Sequence, residues 1–283
     1  SASASAPAPR DMVEIREGLF LMGSRMSEGS PEEHPMHEVA VAAFLLDRTE
    51  VPAGAYDECV RAGACSPMRG PSFLCNVPES GRADHPANCV DFTQAEAYCR
   101  FAGKRLPSER EWEYAARGGG ELRRYSWGEE PPDGERACYN HRGTCAVGSF
   151  APGAFGLLDM SGNVWEWTST WFGAYPEEHA SGTHRVYRGG SFSRRFPKWL
   201  RNGLRNRFMP HEWSASLGIR CARTVTPVRC PEDTEARPAP NADLPPICTR
   251  VRGTPQCEPA MAWDGERCAL VVPGQETHAG TWA

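Results

Sequence analysis

The sequence predicts an α+β domain with little regular secondary structure, followed by a small cysteine-bearing tail. Three observations carry this. Two segments declare helices through their capping residues, short stretches near the start alternate as strands do, and residues 118–222 hold Trp, Gly and Asn with no sustained period of either kind. A chain of 283 residues buries one substantial core and leaves room for an appendage.

In chain order, residues 1–11 open as SASASAPAPR, the composition of a flexible linker, read as a mature N-terminus left after signal removal. Residues 12–23 (MVEIREGLFLMG) alternate like a strand pair, with Val13, Ile15, Phe20 and Met22 on one face and Gly18 at the turn. Residues 38–51 read as a second strand region. Asp91 with Gln94 caps a helix over 92–102, stopped by Gly103. Ser108 with Glu111 is a capping box for a helix over 109–117, closed by the glycines at 118–120. Beyond Pro227 prolines crowd, and Cys230, Cys248, Cys257 and Cys268 arrive without periodicity. Core burial cannot hold such a tail, so two disulfides are expected to. The division is therefore a linker at 1–11, a main domain at 12–224 and a Pro/Cys-rich extension at 225–283.

A net charge of -5 gives no general attraction to nucleic acid or anionic membrane, and no apolar run is long enough to span a bilayer. The 12 cysteines, with no C-x-x-C and no zinc-type His/Cys spacing, read as a disulfide framework. That framework implies an oxidising, extracytoplasmic setting.

Seven segments then occur in order: MVEIREGLFLMGS at 12–24, EEHPMHEV at 32–39, DRTEV at 47–51, HPANCVDFTQAEAYCRFAGKRLPSEREWEYAARGG at 85–119, YSWGEE at 125–130, FGLLDMSGNVWEWTS at 155–169, and RGGSF with LGIRCA across 188–222. Together they resemble the sulfatase-modifying-factor family, whose archetype is the formylglycine-generating enzyme. The resemblance covers residues 12–224 and implies an irregular, C-type lectin-like α+β fold stabilised by loops, calcium and tryptophans. The archetype oxidises a substrate cysteine to formylglycine with molecular oxygen. Its two active-site thiols follow the GG-Ser turn and bind Cu(I). Here Ser191 is followed by Phe192, Ser193, Arg194, Arg195, Phe196, Pro197, Lys198 and Trp199, and the only cysteine in 188–222 is Cys221. Hydroxyls and guanidiniums do not hold Cu(I), so the resemblance implies a member without the copper pair, and no cysteine-to-formylglycine oxidation is expected. A second branch of the family makes sulfoxides with non-haem iron through a His-x3-His-x-Glu motif. The eight histidines lack that spacing, and His34 and His37 read as loop residues.

The resemblance further implies a disulfide between Cys99 and Cys221. The archetype's other structural pair is missing at both ends, where Ala116 and Asn202 or Gly203 stand. Cys138 and Cys145 are expected to close a short loop, while Cys59, Cys65, Cys75 and Cys89 allow three connectivities. One structural Ca²⁺ is implied, with Asp159 and Glu166 giving carboxylates and Gly162 and Val164 giving carbonyls; hard oxygen donors suit that ion. The archetype's other calcium site falls on CYNHRGTCAVGSF, which has no acid, so its loss is expected.

Residues 185–207 carry eight cations and no acid: Arg185, Arg188, Arg194, Arg195, Lys198, Arg201, Arg205 and Arg207. Interleaved with Phe192, Phe196 and Trp199, they suggest a groove for an anionic or aromatic ligand. Arg201, Arg205 and Arg220 are expected to pair with Glu109, Glu111 or Glu113. Trp165, Ser191, Ser193, Arg194, Arg195, Lys198 and Trp199 are the expected ligand-binding residues, with Trp165 and Trp167 also core candidates. Arginines anchor anions but rarely act as bases, so no catalytic residue is assigned. The residues favour an extracytoplasmic binding module, a pseudoenzyme holding a peptide, glycan or protein partner. The alternative is a family oxidoreductase acting on a small metabolite or peptide without the thiol pair.

Overall fold

The computed structural model describes residues 11–71, 73–177, 179–239 and 245–251, with strands at 261–263 and 268–270. Along the chain run β1 (Met12–Ile15), β2 (Gly18–Met22), β3 (His37–Val41), β4 (Phe44–Asp47), α1 (Ala53–Arg61), α2 (Phe92–Phe101) and α3 (Glu109–Arg117). They are followed by β5 (Trp165–Trp171), β6 (Arg185–Arg188), β7 (Asn206–Phe208), β8 (Leu217–Gly218) and β9 (Ala222–Thr224). β10 (Thr234–Arg237), β11 (Ile247–Arg250), β12 (Met261–Trp263) and β13 (Cys268–Leu270) complete it. This is an α+β fold of low helix content, as the sequence indicates.

The two opening strands exist, but they do not pair with each other. β1 joins β4 and β9 in one antiparallel sheet, whereas β2 joins β3 in another. Arg16-Glu17 supplies neither Asn nor Gly for a tight two-residue turn. Gly18 instead lies inside β2 beneath Tyr114, where an added Cβ would sit 2.1 Å from the phenol oxygen. The third sheet, ordered β7-β6-β5-β8, carries the tryptophan-rich strand.

Both capped helices form. The Asp91 carboxylate accepts from Gln94 N (2.9 Å) while Asp91 N donates to Gln94 Oε1 (3.0 Å). Ser108 and Glu111 make the equivalent box on α3, and Gly118 ends it in the left-handed region at φ +81°. α1 is an addition to the sequence reading: Pro52 precedes it and no side chain caps it, so its start carries no capping signature. Its buried face is Ala53, Tyr56 and Cys59.

Two cores result. One gathers Tyr56, Trp165, Trp167 and Ile219; the other gathers Ile15, Phe44, Leu46, Trp112 and Met160. Cys99–Cys221 ties α2 to the residue before β9 across 122 positions, and Cys59–Cys65 and Cys75–Cys89 are the pairings among the four nearby cysteines. Asn202 Nδ2 donates to Ala116 O (3.0 Å), so the two places where the archetype's second disulfide is missing still meet, through a hydrogen bond. In the extension, Cys230 pairs with Cys248, and β11 adds to β3 through Cys248 opposite Ala40, so this part continues a sheet of the main domain. Residues 1–10, Cys257 and the side chain of Cys268 lie outside the described residues.

Buried arginines cross-brace this framework. Of the three expected on the acids of α3, only Arg205 meets one, Glu109 at 2.7 Å. Glu111 is already claimed by Arg105 and the capping box, and Glu113 by Arg117 and Arg188. Arg201 instead forks onto Glu33 (2.9 Å for each of two contacts), and Arg220 pairs with Glu166 (2.8 Å).

Opening the long-range disulfide by Cys99→Ala with Cys221→Ala is expected to cost roughly 3–5 kcal/mol in urea unfolding, against about 2 kcal/mol for the six-residue Cys59–Cys65 loop. Equal losses would contradict the chain-entropy account. Arg201→Met strands the buried Glu33 carboxylate and should cost roughly 3–5 kcal/mol. Adding Glu33→Gln should return a large part of that loss; no recovery would mean the pair is not what Arg201 contributes.

Candidate functional site

β6 ends at the fully buried Arg188, and the chain reverses through Gly189 (φ +103°) and Gly190 (φ +77°). A Cβ on Gly190 would lie 2.5 Å from Trp199 O, so only glycine lets the returning 197–200 turn pack this closely. Phe192 N donates to Asn163 O (2.7 Å), which lays residues 191–199 beside the start of β5.

Most of the expected groove residues gather there. The Arg194 guanidinium lies 5.7 Å from the Trp165 ring centroid and 5.1 Å from that of Trp199, and Lys198 Nζ lies 5.6 Å from Trp199. Ser191 Oγ, itself buried, contacts Ser193 Oγ at 3.2 Å. Ser193, Arg195 and Lys198 are exposed. Trp165 is only 1 % exposed and packs edge-on against Tyr187, and Trp167 is wholly core. Within this cluster Trp165 Nε1 and Arg194 Nε have no acceptor among the described residues. Buried N–H groups are normally paired, so this pair marks a place where an acceptor is wanted.

The eight-cation groove contracts accordingly. Arg185, Arg188, Arg201 and Arg205 are buried, the last three on carboxylates at distant sequence positions, and Arg207 lies over Phe172. Arg194, Arg195 and Lys198 remain as the groove's own charge.

On the other side of β5 the charge balance reverses. Glu166 Oε1 and Oε2 accept from Arg220 at 2.8–3.0 Å, and Oε2 also accepts from Trp112 Nε1 (2.6 Å). Its lone pairs are engaged, which leaves little for a cation. Glu50, which the sequence reading passed over, is wholly buried with neither oxygen hydrogen-bonded among the described residues. Burial and the adjacent Asp159 charge push its carboxyl well above the ordinary range, and burial raises Asp159 as well. Asp159 Oδ2 accepts from Gly148 N (2.6 Å). Thus Glu50, Asp159 and Glu166 act on one guanidinium, Arg220. With its carboxyl raised, Glu50 holds a proton that it can donate to Asp159, and a hard cation between the two carboxyls would take that proton's place. Glu50 and Asp159 would give its carboxylates, beside the 162–164 backbone.

Among the described residues one group of three possible ligands converges within 4.8 Å, and it is Cys138, His141 and Cys145. A cavity of about 360 Å³ lies elsewhere, between β3, the start of α3 and β11. Its charged walls are already matched, Arg205 to Glu109 and Arg250 to Glu38, so it offers less unmet chemistry than the groove.

Comparison with known proteins bears on the family and the fold. Residues 1–225 match the family model of the sulfatase-modifying factor enzyme 1-like domain. The chain is 32% identical to the formylglycine-generating enzyme of Streptomyces coelicolor, over 78% of this chain and 94% of that protein. It is 36% identical to the serine/threonine-protein kinase pkn1 of Chlamydia caviae over 77% of this chain, which spans 39% of that protein. Among solved structures, PvdO from Pseudomonas aeruginosa superposes with a TM-score of 0.64 at 27% identity, over 79% of this chain and 100% of that one. Treponema denticola variable protein 1 shares the fold with a TM-score of 0.61 at 23% identity, over 75% and 94% of the two chains. With its family signature, its braced loops and its GG-Ser turn, the chain belongs to the sulfatase-modifying factor, or formylglycine-generating enzyme, family.

Proposed function

We propose that this chain is an extracytoplasmic binding module of its family, one that holds a peptide, glycan or protein ligand in the groove of Trp165, Ser191, Ser193, Arg194, Arg195, Lys198 and Trp199. The observation that carries the reading is the unmet donor pair, Trp165 Nε1 and Arg194 Nε, set among hydroxyls and cations with no acid paired to them among the described residues. A ligand group with acceptor oxygens satisfies those donors, and a carboxylate or sulfate also matches the charge. The stretch 192–199 holds no cysteine, so the thiol chemistry of the archetype has no residues to run on there. The disulfides support an oxidising compartment.

Calcium completes the proposal. When bound it would neutralise the excess charge around Arg220 and tie residue 50 to the 159–164 loop beneath β5. The unpartnered Glu50 oxygens support this.

A second reading, an oxidoreductase without the thiol pair, draws on the similarity over 94% of the Streptomyces enzyme. Metal content of the oxidised protein separates the two: calcium alone agrees with the module, and a stoichiometric redox metal overturns it.

On a peptide and glycan array, Arg194→Ala with Arg195→Ala should weaken captured ligands at least about tenfold, the loss of charge-assisted hydrogen bonds, with an unchanged melting temperature. Full retention of binding refutes the groove assignment. Calcium at a hundredfold its Kd should stabilise by about 2.7 kcal/mol relative to chelator. Glu50→Gln should abolish that response while melting no lower than the native chain in chelator; a melting curve indifferent to calcium rules the ion out.

A further inference from the structure

We propose that Cys138, His141 and Cys145 form a zinc site gated by thiol redox state on the rim of the groove. The two cysteines are disulfide-bonded with Cα atoms 5.9 Å apart, and His141 stands beside both sulfurs. His141 Nδ1 lies 2.7 Å from Gly143 O, a contact that orients the ring within the turn.

This bond is also the accessible one in the main domain. Cys59, Cys65, Cys75, Cys89, Cys99 and Cys221 are buried, as is Cys138, whereas its partner Cys145 is half-buried and His141 exposed. Exchange needs a thiolate to reach a sulfur, so exposure selects it. Its loop spans seven positions, so opening it releases far less chain entropy than opening the 122-residue Cys99–Cys221 loop.

The hairpin does not depend on the bond for its shape. Asn163 N donates to Cys138 O (2.9 Å), and Cys145 N donates to Asn163 Oδ1 (3.0 Å), so one side chain and its backbone hold both ends. Thr144 Oγ1 is fixed between Asn76 Nδ2 (3.0 Å) and His85 Nδ1 (2.8 Å). Asn140 N and His141 N donate to Arg194 O (3.1 Å) and Phe192 O (2.8 Å), and Tyr139 OH donates to Arg195 O (2.6 Å). Reduction therefore leaves two thiols and an imidazole converged on one point.

The chemistry balances. Two external thiols reduce the disulfide, leaving as one disulfide of their own, and two protein thiols form. Zn²⁺ then displaces their two protons, forming two Zn–S bonds and one Zn–N bond. Sulfurs about 2.3 Å and nitrogen about 2.0 Å from a tetrahedral ion lie within about 4 Å of one another, a small rearrangement of this cluster. Two thiolates with imidazole favour zinc over the hard ions expected at the carboxylates, and three protein ligands leave the fourth position open. The hairpin holds the backbone of 192–195, so a zinc ion bound there would sit on the rim of the groove.

The test uses the full chain under limiting phosphine reductant, with Co²⁺ as the probe. Alkylation mapping should find Cys138 and Cys145 released first. One equivalent of Co²⁺ should then bind with an intense thiolate-to-metal absorption band that Zn²⁺ removes. His141→Ala, which keeps the disulfide and hence the fold, should bind Co²⁺ at least about tenfold more weakly after reduction. Absence of the band after reduction, its persistence in Cys138→Ser with Cys145→Ser at native near-ultraviolet dichroism, or prior release of another disulfide would each overturn the site. None of these outcomes bears on ligand binding by the groove, which is assayed in the oxidised protein.

Discussion

The buried guanidinium is the interaction on which this structure depends. Ladders and helices satisfy backbone groups locally, but much of this chain is loop, and loop carbonyls inside a protein still require donors. Arginine supplies five N–H groups in a rigid fork, and one carboxylate or two neutralise the forks of Arg188, Arg201, Arg205 and Arg220. Arg188, wholly buried, spends its donors on Glu109, Glu113 and the carbonyls of Asn202 and Leu204, which fastens α3 to the returning loop. Arg205 joins Glu109 to the carbonyls of Glu32 and Gly173, and Arg220 joins Glu166 to those of Asp47 and Leu158. Desolvating such pairs offsets much of their attraction, so their main effect is to make alternatives costly: a loop that moves leaves a charge unpaired.

Seen against this matching, two places stand out because they do not match. Around Arg220 there is surplus carboxylate, and around Arg194 there is surplus cation. They are neighbours through β5. Successive strand residues point to opposite faces, so Trp165 faces Arg194 while Glu166 faces Arg220 and Trp112. A hard cation on one side and an acceptor-bearing ligand on the other would each complete a set of partners that the protein leaves open.

The sequence discloses those parts of this arrangement whose cause is local. Asp91 with Gln94 and Ser108 with Glu111 declare α2 and α3 because a cap is written within four residues, while α1 escapes notice because Pro52 contributes no capping side chain. The partners of β1 and β2 depend on segments far along the chain, and nothing in MVEIREGLFLMG encodes them. Long separations also explain the overcounted groove: the acids that absorb Arg188 and Arg201 lie 75 to 168 positions away. The GG-Ser turn and the stretch after it are contiguous, so that part of the groove could be read directly. Glu50, between Thr49 and Val51, looks like an ordinary surface acid until Asp159 is seen beside it. The C-x2-H-x3-C pattern of Cys138, His141 and Cys145 is plain only once the hairpin brings the imidazole back to the sulfurs.

The groove therefore rests on supports of different stiffness. Beneath it lies the buried Trp165, on a strand paired with β6 and β8 and anchored on its far face by Glu166 and Arg220. Its wall is the 191–199 loop, which the glycine pair lets pack tightly at one end and which the 138–145 hairpin holds through three hydrogen bonds at 192, 194 and 195. A loop so held keeps its charged side chains exposed without carrying the fold's stability, since the braces run through other arginines. A loop of this kind needs no thiols to keep the scaffold intact. On the proposed reading, Arg194, Lys198 and Trp199 recognise a ligand at the place where the archetype carries its thiols.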